Sequence, residues 1–441
     1  MNTTPSPKAR PHGPGAQPDG RGARPDGPLD AVVIGGGVIG HGIAWELRRS
    51  GRTVALIDDA PGDGASWAAA GMLAPVSELH YQEEGLLPLM LESSRLWPAF
   101  AGSLADGGDG GAGTGYLTTP TLAVGADAAD RQALADLRAL QVASGLSVEP
   151  LTVREARRRE PLLSPAISCA FEIPADHQVD PRRLITRIRA LLAADTGFRA
   201  VPHRAAGLIE ADGRIAGVRL SGGEEIRSAE TIVANGLGAA ALQDLPAGLT
   251  LPLRPVHGDI LRLRVPERLR PLLSSTVRGL VRGVPVYIVP RGDGTVVVGA
   301  TQREDQAGDL AVSAGGVYQL LRDAQQLVPA VAELELVEAT ARARPGTPDN
   351  APLLGRVRAA GGGHVPGLVI ATGFFRHGVL LTPAAAAICR ELLDGTPDPR
   401  WDGFLPDRFD RPRTDAEHNQ STSQAHSPTN ALHPATHRTT A

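Results

Sequence analysis

The sequence predicts an α/β protein that opens on a Rossmann-like dinucleotide-binding unit and carries a second, β-rich group of segments. Three observations predict this. A short apolar run at 31–34, a glycine turn, a helix-spaced segment at 38–50 and a second apolar run at 53–57 make one βαβ unit. Short strand-like runs bounded by turn residues follow at 207–210, 215–221, 224–227 and 230–234. A second such group lies at 251–265, 286–289 and 295–299. A late apolar strand at 368–371 then leads into a helix at 379–393.

The helices have local reasons. Ile39, Ile43, Ala44 and Leu47 recur at helical spacing, and Gly51 stops the segment. A longer helix is expected at 83–100. Thr152 and Glu155 spell a capping box before Pro161. Segments 181–194 and 313–328 complete the set, and there is no internal repeat.

Composition removes several function classes. The 441 residues leave room for two sub-domains, and a net charge of -4 without a long basic run argues against nucleic acid. No apolar stretch reaches the roughly 20 residues of a membrane span, and no signal pattern opens the chain, so a cytoplasmic protein is expected. Cys169 and Cys389 match no zinc spacing, and no metal is expected. The only lysine is Lys8. That excludes a pyridoxal-phosphate Schiff base and a P-loop phosphate lysine. Segments 1–28 and 411–441 lack apolar periodicity and read as disordered tails; the glycine-rich stretch 102–115 reads as a surface loop.

The turn Gly35-Gly-Gly37-Val38-Ile39-Gly40 is a dinucleotide fingerprint. Gly35 permits the tight turn, Gly37 lets backbone approach a diphosphate, and Gly40 lets helix pack on sheet. With 52 glycines in the chain, about 0.7 matches arise by chance, and a second one sits at 108–113. Only the first lies between a strand and a helix. Asp58 and Asp59 end the second strand, where a carboxylate accepts ribose hydroxyls. FAD and NAD both use such a cradle. The small residues that follow, Ala65 and Ser66 through Ala70, Gly71 and Met72, allow a loop to run flat against a flavin.

The order of blocks then resembles a known family: the cradle, SWAAAGML at 66–73, VYIVPR at 286–291, VVVGAT at 296–301, ARPGTPDNAPLLG at 343–355 and ATGFFRHGVLLTP at 371–383. From about residue 29 to 409 the chain is similar to the glycine oxidases of thiamin thiazole synthesis, within the D-amino-acid oxidase and sarcosine oxidase superfamily. The resemblance implies a GR2-type FAD-binding domain assembled from segments 29–80, 147–245 and 342–410. It implies an α+β substrate domain with an antiparallel sheet from 81–146 and 246–341.

The resemblance also implies roles. Arg344 would clamp the substrate carboxylate, with Tyr287 on the same group and Arg376 nearby. The turn Phe374, Phe375, Arg376, His377, Gly378, Val379 and Leu380 would bind flavin, and Ala206 would contact the adenine part. The start of the last helix, near Val379, would turn its dipole toward the flavin. No catalytic side chain is expected: positioning brings substrate Cα under the flavin for hydride transfer, giving an imine, glyoxylate, ammonia and hydrogen peroxide. The expected partners are a small amino acid and oxygen, and a homo-oligomer is suggested. No cysteine lies near Arg344, so FAD would be non-covalent. Pro285, Gln302 and His377 depart from the family's histidine, methionine and asparagine, and the oxygen-activating lysine of sarcosine oxidases is missing. A dehydrogenase or oxidase of sarcosine, D-amino acids or proline-like amines is the alternative.

Overall fold

Two large sheets organise the protein. The computed structural model describes residues 28–105, 112–304, 310–359 and 362–410; both expected tails (Pro28 apart) and the second glycine match up to residue 111 lie outside them. The first sheet runs in the order Leu353–Arg358, His364–Thr372, Glu225–Val233, Leu29–Ile34, Val54–Ile57, Phe198–Val201. Its four pairings from His364–Thr372 to Phe198–Val201 are parallel, and Leu353–Arg358 is antiparallel. These are short apolar runs buried on both faces, which is what a parallel sheet under helices needs. Helices Val38–Arg49, Pro181–Ala193 and Thr382–Asp394 pack on one face with Leu87–Ser103 behind them. The hairpin Ala205–Ala211 and Arg214–Leu220 covers the other.

The second sheet has the order Glu335–Gly346, Arg254–Arg264, Thr295–Gly299, Val284–Pro290, Thr276–Val281, Thr121–Gly125, Cys169–Ile173, Glu149–Leu151. Helix Ala314–Leu327 packs on it. Among the described residues, no helix is long and apolar enough to cross a membrane.

Several expectations change. The strands expected at 224–227 and 230–234 are one strand, Glu225–Val233, because its first half pairs with the hairpin and its second half with Leu29–Ile34. Segment 147–245 is not all of one sheet: Glu149–Leu151 and Cys169–Ile173 pair into the second. Residues 112–114 form a short helix with Thr114 fully buried, not a surface loop. The last helix begins at Thr382, with Pro383 in its first turn, after a separate helical turn at Phe375–His377. The capping box at Thr152 and Glu155 forms as read.

Candidate active site

A cavity of about 510 Å³ opens where the two sheets meet, and it has two chemically different ends. One is the glycine turn after Leu29–Ile34. A Cβ at Gly40 would be driven into the Gly35 carbonyl oxygen, so only glycine lets the helix start this close to the turn. Gly37 caps the helix without a side-chain hydrogen bond, and Val38 N–H donates to Ser66 Oγ at 3.0 Å. Asp58 takes the Gly36 N–H at 2.5 Å and the Ala60 N–H at 2.7 Å. Gly35, Gly37, Val38, Ile39, Asp58, Ala65, Ser66, Ala70, Gly71 and Met72 all line the cavity. A turn without Cβ obstruction, a helix N-terminus and an acceptor carboxylate suit the diphosphate and ribose of a dinucleotide.

The other end is arginine-rich. Arg278, Arg342, Arg344 and Arg376 line it together with Glu78 and Tyr287. Arg278 and Tyr287 are cross-strand partners on Thr276–Val281 and Val284–Pro290. Arg344 comes from Glu335–Gly346 and lies flat on Gly258, where a Cβ would sit 2.8 Å from its guanidinium carbon. Arg342 pairs with Asp63 at 2.8 Å. Arg278 pairs with Glu78, and Arg376 lies 2.9 Å from the same carboxylate while also pairing with Glu83. Among the described residues, Arg344 is the one guanidinium of this wall with no carboxylate within ion-pair distance.

The charges have worked-out states. Burial pushes the Glu78 carboxyl up, but Arg278, His80 and Arg376 together hold it well below the usual range, so it is ionised. Burial raises the Tyr287 phenol, against the pull of Arg344 and Arg278. Burial drives His377 down to about 3, so its ring is neutral, and neither ring nitrogen has a hydrogen-bond partner among the described residues.

The turn from Phe374 through Leu380 lines the cavity throughout. Three expected residues do not line the cavity: Gly40, packed behind the turn against the Gly35 carbonyl, Asp59 and Ala206. Asp59 lies in the bend past the end of strand Val54–Ile57, is exposed and pairs with Arg204 at 3.3 Å. Ala206 lies on the covering hairpin, where its carbonyl accepts the Gln243 N–H at 3.0 Å. Arg376 is in the wall, but its guanidinium is already engaged by Glu78 and Glu83.

Glu78, Arg278 and Asn235 lay outside the sequence reading. Asn235 follows Glu225–Val233, lines the cavity and has a buried side-chain oxygen without a partner. Glu78 could have been found by extending the Ala70–Met72 block by six residues. Arg278 had no local signal.

The family model for FAD dependent oxidoreductases matches residues 30–392. The glycine oxidase of Geobacillus kaustophilus is 33% identical over 83% of this chain and 93% of its own length. The bifunctional protein ThiO/ThiG of a Nostoc species is 32% identical over 82% of this chain, which spans about half (52%) of that longer protein. The crystal structure of the Geobacillus kaustophilus glycine oxidase superposes with a TM-score of 0.75 at 31% identity, covering 86% of this chain and 98% of the other.

Proposed function

Because this chain belongs to the FAD dependent oxidoreductase family, we propose that it oxidises glycine by two electrons, for thiamin thiazole synthesis. Bound FAD supplies the two-electron acceptor, and oxygen is the terminal acceptor in this reading, with hydrogen peroxide formed. The products from glycine are the imine, or glyoxylate and ammonia after hydrolysis. The glycine turn, Ser66 and Asp58 would hold the nucleotide, and Ala70–Met72 with Phe374–Leu380 would hold the flavin ring.

Arg344 carries the substrate reading. A planar, permanently charged fork with no carboxylate partner among the described residues suits the two oxygens of a substrate carboxylate. The un-ionised Tyr287 hydroxyl donates to the same group. Together they fix the amino acid by its carboxylate and leave Cα to the flavin, with no side chain needed as a base. Relatives named glycine oxidase support glycine over larger amines.

The test is anaerobic addition of glycine, sarcosine, D-alanine and D-proline to the purified flavoprotein. Glycine should bleach the yellow absorption at the lowest ratio of half-saturation to rate. A preference for D-proline or sarcosine would replace glycine as the substrate.

A further inference from the structure

At the arginine end two guanidiniums share one carboxylate of the protein. Arg278 and Arg376 reach the cavity from different elements and meet at Glu78. Arg376 has Glu83 as well, but Arg278 has only Glu78 within ion-pair distance among the described residues. Glu78 is held in place from behind. Asp176, fully buried, accepts the N–H groups of Val76 and Ser77 at 2.9 and 3.0 Å, which fixes the backbone just before Glu78.

We propose that Glu78 is a specificity-determining residue: it neutralises Arg278 and part of Arg376, so that the cavity accepts one carboxylate, at Arg344, and rejects substrates that carry a second. The inference rests on the reading of Arg344 as the carboxylate clamp. A second anionic group entering this end meets the Glu78 charge in a site shielded from water, where like charges repel strongly. Without Glu78, a buried guanidinium is left uncompensated, and an incoming carboxylate relieves it. Arg278 and Arg376 therefore form a latent site for the distal group of a dicarboxylate such as malonate or iminodiacetate.

The experiment uses the FAD-loaded enzyme and non-reacting acids, acetate and malonate, read by perturbation of the flavin absorption, so no turnover is needed. The wild type should bind acetate at least tenfold more tightly than malonate. Glu78→Gln should reverse the order, with malonate gaining more than tenfold relative to acetate. Glu78→Asp should keep the wild-type order, because it restores the charge. In Glu78→Gln/Arg278→Met the malonate gain should vanish. If Glu78→Gln binds malonate no better relative to acetate than the wild type, the proposal is wrong. If Glu78→Gln cannot retain flavin, Arg278→Met decides: a Glu78 left with Arg376 as its one arginine should weaken acetate binding at least fivefold, and unchanged acetate binding overturns the proposal. Acetate binding that survives Arg344→Ala would instead sink the clamp itself, a separate result.

Discussion

The two ends of the cavity are built on opposite plans. The glycine-turn end is made of backbone: N–H groups, a helix start, and glycines where a Cβ would collide. The arginine end is made of charged side chains, four guanidiniums against a few carboxylates, in positions 78 to 376 of the chain. A backbone site tolerates changes of side chain but no change of shape. A charge-balanced site keeps its shape and changes its preference when one charge is removed. Substitutions should therefore act by different routes at the two ends.

The largest effect is expected at the first end. Gly40→Ala, which adds one methyl group against the Gly35 carbonyl, should give protein that purifies without flavin colour. A yellow Gly40→Ala protein with normal FAD affinity would break the comparison. His377 sits between the plans, a neutral ring among charges. Its folded value of about 3 lies below the ordinary 6.5, so its contribution to stability is present above pH 6.5 and is lost as pH falls toward 3. Between pH 6.5 and 4 this amounts to about 3 kcal/mol of lost stability. His377→Asn removes the titration, so thermal unfolding of that variant should fall less over the same pH range; equal falls would contradict the burial argument. The smallest effect is expected for Asp58→Asn. It keeps the shape of the turn but sets an amide against the Gly36 N–H, and should weaken FAD by about tenfold in equilibrium binding.

The same contrast explains what was legible in the sequence. The backbone end comes from one contiguous βαβ unit, so Gly35, Gly37, Gly40 and Asp58 could be read from local pattern. Asp59 and Ala206 do not line the cavity, because one sits in the exposed bend after Val54–Ile57 and the other on the covering hairpin. Arg344, Tyr287 and Arg376 came only from the family resemblance, and their partners did not come at all. Arg278 and Glu78 are 200 residues apart and meet only because Thr276–Val281 lies inside the second sheet. No local periodicity carries that.

Anaerobic reduction of the flavin by glycine, in wild type and Arg344→Ala, tests the central claim most directly. Both proteins should be yellow, because the backbone end is untouched. The glycine concentration for half-maximal reduction should rise by about 100-fold or more in Arg344→Ala, as expected for loss of a buried charge-assisted pair. Half-maximal reduction at the same glycine concentration in both proteins would contradict the account.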